Sequence, residues 1–388
     1  MGRMLSVAFL VICLFNAANA WWVTGHALTA EVAHEKISSI TQLKINQLLD
    51  KKPDVPILAK EKQPKPDLEV LYKSYNYIQG AASWADDIKR YHWKSDSLRA
   101  NYSAMHYVGV DINLAYQGSK TYCKNTLTPA YMQSFFLVKK SNVVNAIKSA
   151  IKSLVLSTTS DAEKATALRY LIHLMGDLHQ PLHTVSPKFN STQTAGGNGI
   201  KFTHKAPLYY QVSGRNPFTE IKLYPFSNFH AYFDGVLGKY NQLQETITSS
   251  YSPNGFELWQ SHKRVYLGYL SMLSRKLNSF RFEDIIFPNV ESWAMESSKL
   301  ACNLLINDRG LYFVVVGKQL NLKFNPHYFT RKYSYKIDRQ LYLGGLRLGM
   351  LLEAIYNPNP SVRNYQKYLI KPIMHDQSIP TLNQLGES

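Results

Sequence analysis

The stretch YLIHLMGDLHQPLHT, residues 170–184, decides how the chain is read. It places three imidazoles and a carboxylate within eleven positions, His173 to His183. His173 and Asp177 stand at i and i+4 in an apolar-periodic segment, so a helix projects both from one face toward a common point. His183 follows Pro181, which bends or ends the helix and re-aims the last imidazole. Imidazole nitrogen with carboxylate oxygen is a donor set that suits zinc. A His/Asp pair on a helix is also common as a surface hydrogen bond, and His179 shows that not every imidazole of the run need be a ligand. The meaning of the stretch therefore depends on the rest of the chain.

Upstream, Thr158 to Asp161 supply a break and an N-cap, which predicts a central helix over 162–179. Thr128 to Leu156 reads as one long helical stretch with Lys on its outer face. Downstream, STQTAGGNGIKF (191–202) is too irregular for a phosphate-binding loop and reads as a tight turn. In SNFHAYFDG (227–235), His230 and Asp234 repeat the His/Asp spacing of the central stretch. Helices are expected over Gly255–Leu277, Val290–Asn307 and Tyr333–Tyr356. Tyr312–Val316 is ambiguous between strand and buried helix. From Asn357 the chain is Pro-rich and polar, which predicts an extended surface tail.

Toward the N-terminus, alternation of Val108, Val110 and Ile112 predicts a short extended segment with His106 on its apolar face. A helix is expected from Leu68 through Lys89; its Asp86 and Asp87 would ordinarily be a solvated helix end. Lys51–Pro66, rich in Lys and Pro, reads as a surface loop. WWVTGHALTAEVAHEKI (21–37) predicts a helix with Leu28 and Val32 on one face.

A chain of 388 residues, 45% hydrophobic and 13% aromatic, is globular and long enough to bury a sizeable core. Residues 1–20 read as a secretory signal peptide: Arg3, an apolar run from Leu5 to Phe15, and the small-residue site Ala18-Asn19-Ala20. Its apolar run is too short to span a membrane, and no later stretch resembles a span. Cleavage after Ala20 frees an α-amino group on Trp21, five residues before His26; with its carbonyl, such an amine can chelate zinc. Cys13 leaves with the signal, so one disulfide between Cys123 and Cys302 is the economical reading for an oxidising compartment, secreted or luminal. The sequons at Asn101 and Asn190 permit glycosylation in a eukaryotic host. The mature chain carries 43 basic against 27 acidic side chains, a net charge of +16 that favours acidic partners, nucleic acid first.

Trp21, His26, Asp86, His106, His173, Asp177, His183, His230 and Asp234 thus form nine potential ligands in local contexts of their own: WxxxxH, SWAD, HY, HxxxD with QPLH, GGN, and NxHxxxD. In this order the chain, from Trp21 to about Tyr356, resembles the class I zinc-dependent nuclease family. That family includes fungal and plant single-strand-specific nucleases and protozoan 3'-nucleotidase/nucleases. The resemblance implies a mainly α, single compact helical domain with little sheet, of the type shared with zinc-dependent phospholipase C. It sets the domain at 21–356, after the signal and before a tail at 357–388. It implies three zinc ions: one on Asp86, His106, His173 and Asp177; one on the amine and carbonyl of Trp21 with His26, sharing Asp177; one on His183, His230 and Asp234. It also implies the Cys123–Cys302 disulfide and substrate contacts at Tyr107 and Asn198. The implied activity is hydrolysis of RNA and single-stranded DNA to 5'-phosphate products by a zinc-activated hydroxide that Asp86 orients, with 3'-nucleotidase action on 3'-mononucleotides.

Departures lie around the substrate. Lys89 stands where fungal and plant members carry Arg, with Arg90 next; a Lys offers a point charge rather than a planar fork. An Asp of the family's base-binding stretch is Gly109 here, with Asp111 nearby. Two other readings use the same residues. A zinc-dependent phospholipase C also has an N-terminal Trp, but the short Trp21–His26 spacing, Asp234 where such a site favours Glu, and the basic charge argue against it. A secreted zinc- or polyanion-binding protein without catalysis would leave the full ligand set unused.

Overall fold

The Ser160 hydroxyl accepts a hydrogen bond from the Glu163 amide, and the Glu163 carboxylate accepts one from the Ser160 amide at 3.0 Å. This reciprocal cap starts the central helix at Asp161. The computed structural model describes residues 21, 23–58, 77–90, 92–138, 140–190, 192–203, 206–212, 221–238, 289–317 and 319–387. The expected signal peptide, the first part of the helix expected from Leu68, and the helix expected over Gly255–Leu277 lie outside the described residues.

In chain order the helices are α1 Val23–His34, α2 Ser39–Leu49, α3 Ile78–Asp87, α4 Asp96–Ala104, α5 Tyr122–Thr126, α6 Pro129–Val138, α7 Val143–Val155, α8 Asp161–His179, α9 Phe229–Asp234, α10 Val290–Asn307, α11 Pro326–Tyr356, α12 Arg363–Tyr365, α13 Lys371–His375 and α14 Leu382–Glu387. From Ala165 onward every residue of α8 is buried, because α1, α2, α3, α7, α10 and α11 all pack on it. A helix covered on all sides is apolar all round except where polar groups have partners. Arg169 shows such a partnership, donating to the carbonyls of Ala165 at 3.1 Å and Leu49 at 2.6 Å.

The strands are short, and the fold is mainly α as expected. β1 (Val110–Asn113) pairs in parallel with β2 (Val185–Phe189), with Val110 opposite Val185, and β2 pairs with Thr192–Gln193. This pairing joins the segment after α4 to the segment after α8. Tyr312–Val316 resolves as a strand, paired antiparallel with Gln319–Lys323. Its β-branched run favours the extended backbone.

Two expectations are corrected. Thr128–Leu156 is not one helix: Asn142 is extended, and its side chain caps α7 by accepting from the Asn145 amide. The C-terminal segment is not an extended surface tail. Its α14 buries Leu382 and Leu385, the Leu382 amide donates to Ser153 Oγ at 2.9 Å, and Asn101 Nδ2 donates to the Gly386 carbonyl at 3.0 Å. A few spaced leucines outweigh the polar composition because α4 and α7 offer them a surface. Among the described residues no helix is long and apolar enough to cross a membrane.

Cys123 on α5 is bonded to Cys302 on α10, closing a loop of 179 residues with the Cα atoms 5.8 Å apart. Loop-closure entropy alone assigns such a crosslink about 5 kcal/mol, and measured native bridges lie between about 2 and 5. The double variant Cys123→Ala/Cys302→Ala is expected to lose stability in that range by urea denaturation. An unchanged midpoint would show that the bridge constrains little.

A second tie joins three helices. Glu296 of α10 accepts from Arg347 Nη2 at 2.6 Å and Arg339 Nη1 at 2.5 Å, and Arg347 donates to His179 Nε2 at 2.8 Å. Burial raises the Glu296 carboxyl, yet the two guanidinium groups hold it down at about 2. A group whose folded pKa lies below its unfolded value stabilises above the unfolded pKa, here 4.5, and loses that contribution as the pH falls toward 2. Glu296→Gln is therefore expected to be less stable than the parent by roughly 2 kcal/mol near pH 6, after discounting for partial exposure. The gap should narrow between pH 4.5 and 2 in metal-free protein; a gap independent of pH would remove the linkage.

Candidate metal centre

Three groups of acids and imidazoles come together around α8: His26, His173 and Asp177; Asp86, His106 and His173; and His183, His230 and Asp234. In each group the potential ligand atoms lie within 4.8 Å of one another, and all the residues are buried. The eight side-chain positions read from the sequence are thus assembled from five parts of the chain: α1, α3, the segment after α4, α8 with its C-terminal turn, and α9. Asp86 and Asp87 are buried rather than a solvated helix end, because α3 packs against α1 and α8.

Backbone carbonyls set the ring orientations. His173 Nδ1 donates to the Ala82 carbonyl at 2.6 Å, His183 Nδ1 to the His106 carbonyl at 2.7 Å, and His230 Nδ1 to the Gly196 carbonyl at 2.7 Å. Each ring therefore turns its Nε2 lone pair inward. His183 Nε2 and His230 Nε2 then face each other at 3.1 Å, a repulsive approach of two lone pairs unless a cation lies between them. His106 Nδ1 is 2.8 Å from Asp177 Oδ2 and 3.0 Å from His173 Nε2, so donors converge on a point rather than pairing off. Among the described residues, both ring nitrogens of His26 and Oδ1 of Asp177 are buried without a hydrogen-bond partner. These features fit divalent cations bound by nitrogen and oxygen.

Electrostatics point the same way. Burial, then the neighbouring imidazoles, lowers His26 well below the usual range; burial, then the Lys89 ammonium and the imidazoles, lowers His106 likewise; and burial holds His230 at about 4. Burial pushes Asp177 up to about 6 and Asp234 well above the carboxylate range. Burial also acts to lower His173, but Asp177 and Asp86 beside it raise it overall. The other imidazoles, held neutral beside carboxylates that resist charge in a dry site, form an arrangement that positive ions would stabilise.

Asp177 belongs to the first group and reaches into the second. Its Oδ1 lies 3.3 Å from His26 Nε2, and its Oδ2 lies 2.8 Å from His106 Nδ1 and 3.2 Å from His173 Nε2. His173 belongs to both groups and stacks on His26 with ring centroids 3.9 Å apart. The fully buried Trp21 lies beside them, packed against Gly25 and Gly176.

Asp86 Oδ1 stands 3.6 Å from His106 Nδ1 and 3.7 Å from His173 Nε2, and accepts from Lys89 Nζ at 2.5 Å. Tyr107, 44% exposed, presents an open aromatic next to His106. Asp111 is held by Lys188 Nζ at 2.9 Å and Gln193 Nε2 at 3.0 Å across the small sheet. Asn198 is spent on its own turn, donating to the Ala195 carbonyl at 2.9 Å; it is Gly196 of the same turn that touches His230. Asn101 sits half-buried under α14, whereas Asn190 is exposed in a turn. His179 is no ligand candidate: it donates to the Met175 carbonyl, accepts from Arg347, and is held at about 3 by burial and that guanidinium.

Sequence reasoning missed two supports. Gln180 is fully buried; its Nε2 donates to Asp234 Oδ1 at 2.6 Å and its Oε1 accepts from the Leu182 amide at 2.6 Å, locking the carboxylate beside His183. Gly176 gives His26 and Trp21 room, because a methyl there would lie 2.6 Å from His26 Nδ1. A glycine inside a helix at a cost of about 1 kcal/mol was the available signal.

A model of the protein family described as S1/P1 Nuclease matches residues 21–357. The chain is 24% identical to Endonuclease 1 of Arabidopsis thaliana over 369 residues, 92% of this chain and 94% of that protein. It is 22% identical to Nuclease S1 of Aspergillus oryzae over 204 residues, 53% of this chain and 56% of that protein. It is 26% identical to Endonuclease 2 of Arabidopsis thaliana over 208 residues, 51% of this chain and 57% of that protein. The matches to Nuclease S1 and Endonuclease 2 thus span little more than half of each relative.

Proposed function

Because the chain belongs to the S1/P1 nuclease family, we propose that it is a three-zinc nuclease. It hydrolyses RNA and single-stranded DNA to 5'-phosphate products and removes phosphate from 3'-mononucleotides. The observation that carries this reading is the Asp177 carboxylate, whose two oxygens face different imidazoles and can serve two ions at once. Asp86, His106, His173 and Asp177 would hold one ion; His26 with the amine and carbonyl of Trp21, sharing Asp177, a second; His183, His230 and Asp234 the third. When bound, zinc supplies Lewis acidity that lowers the pKa of water to near 7 and neutralises charge on phosphate and on the departing 3'-oxygen.

The protein's own groups do the rest. Asp86 Oδ1, turned toward His106 and His173, orients the attacking water. Lys89 Nζ, 6% exposed as a residue and beside that carboxylate, brings a point charge to the phosphate. The open ring of Tyr107 stacks an unpaired base, which favours single strands because a duplex must first be unstacked. The net charge, +17 for the whole chain and +16 once Arg3 leaves with residues 1–20, draws polyanions. The Cys123–Cys302 bridge supports a secreted or luminal setting.

The test is metal content by elemental analysis of the mature protein, with nucleotide and phosphate release from poly(A), single-stranded DNA and 3'-AMP before and after chelation. About three zinc per chain with chelator-sensitive release of 5'-nucleotides is expected. Metal without phosphodiesterase activity, or turnover of phosphatidylcholine instead, would overturn the reading.

A further inference from the structure

The outward face of the first turns of α11 carries Tyr328, Arg331, Lys332, Tyr335 and Lys336, all exposed. Their spacing of i, i+3, i+4, i+7 and i+8 makes them one continuous stripe on the helix. Lys332 Nζ donates to Tyr328 Oη at 3.1 Å and lies 5.2 Å from the centre of that ring, so cation and aromatic are already paired. No acidic side chain occurs from Pro326 to Ile337. The adjacent Asp308 is buried and lies 3.4 Å from Lys332 Nζ.

The opposite face of the same turns packs on α9, the helix that carries His230 and Asp234. Phe329 meets Phe229 and Phe233 with ring centroids 6.0 Å apart in each case, and Tyr232 Oη is 2.5 Å from Thr330 Oγ1. Phe229 and Phe233 flank His230 and Asp234 in sequence on α9. The stripe thus stands about one helix diameter, ~10 Å, behind the element that supplies the third group.

We infer that this stripe is a binding surface for single-stranded polynucleotide, holding the part of a long substrate that extends beyond the bond being cleaved. The inference rests on the nuclease reading above. Phosphates meet Arg331, Lys332 and Lys336, and bases stack on Tyr335 and Tyr328; alternating cation and ring is the chemistry a single strand requires. An anionic lipid surface would use the cations and tyrosines too, but a helix lying on lipid also buries Trp, Phe or Leu, and the stripe presents none. A dinucleotide is too short to reach both the centre and the stripe, so chain length separates the two.

The experiment compares the full chain with the triple variant Arg331→Ala/Tyr335→Ala/Lys336→Ala, which spares Lys332 and its ion pair. For a twenty-nucleotide oligo(dA), KM is expected to rise about tenfold, and the slope of log KM against log salt to fall by about 1.4 for two lost phosphate contacts. Cleavage of a dinucleotide should be unchanged. Fluorescence anisotropy with the same oligonucleotide under chelation reads binding without turnover, so the stripe is tested even if no substrate is cleaved. Equal affinity of both proteins for the oligonucleotide would overturn the inference, as would equal loss on the dinucleotide. Loss of capture by phosphatidylserine vesicles with unaltered oligonucleotide binding would reassign the stripe to membranes and overturn it as well.

Discussion

Replacing Asp177 with Asn is expected to lower turnover of single-stranded substrates by on the order of 10³-fold or more, about 4 kcal/mol of transition-state free energy. The carboxylate is fully buried and its two oxygens face His26 on one side and His106 with His173 on the other. An amide keeps the shape but offers one weakly basic oxygen and an N–H2 group, which points donors at a cation. Metal content should therefore fall by more than one ion per chain, while His183, His230 and Asp234 keep theirs. The fold should persist, since a neutral amide is less costly to bury than an unpaired charge. Elemental analysis, kcat and far-UV circular dichroism on the same preparation check the expectation. Parental metal content with parental activity would show that Asp177 is not shared.

Gly176→Ala is expected to cost at least ten- to a hundredfold in activity, although local helix propensity argues the other way. Alanine in place of a helical glycine would stabilise α8 by about 1 kcal/mol if space were free. Space is not free: the added methyl would sit 2.6 Å from His26 Nδ1, 3.0 Å from His26 Cε1 and 3.4 Å from Trp21 Cδ1. His26 and Trp21 must move, and displacement of a metal-orienting group commonly costs ten- to a hundredfold in affinity or rate. One metal equivalent should be lost, and thermal stability should change little or fall. Full activity with raised stability would mean that propensity wins and that the His26 side of the site tolerates displacement.

The signals legible in the chain were those with local causes. The i, i+4 spacing of His173 with Asp177 and of His230 with Asp234 puts each pair on one helix face whatever surrounds it. The break and N-cap over Thr158–Asp161 start α8, and Pro181 ends it, so that His183 falls on a separate turn over Pro181–His183. The pairing of Cys123 with Cys302 followed from the count of cysteines and is observed. Polar composition misled at the C-terminus, where burial of Leu382 and Leu385 against α4 and α7 decides the conformation; a long-range contact leaves no local pattern.

The sequence alone therefore determined the donor types, the central helix and the small number of elements that could carry a metal centre, because backbone geometry fixes the spacing of neighbours along one helix. Only the tertiary structure decided which donors share a point. The parallel pairing of Val110 with Val185 brings His106 to His183, packing of α1 on α8 seats His26 over Gly176, and carbonyls of Ala82, His106 and Gly196 choose which nitrogen each imidazole turns inward. These are relations between residues from 34 to 91 or more positions apart, set by how elements pack, and no spacing along the chain encodes them.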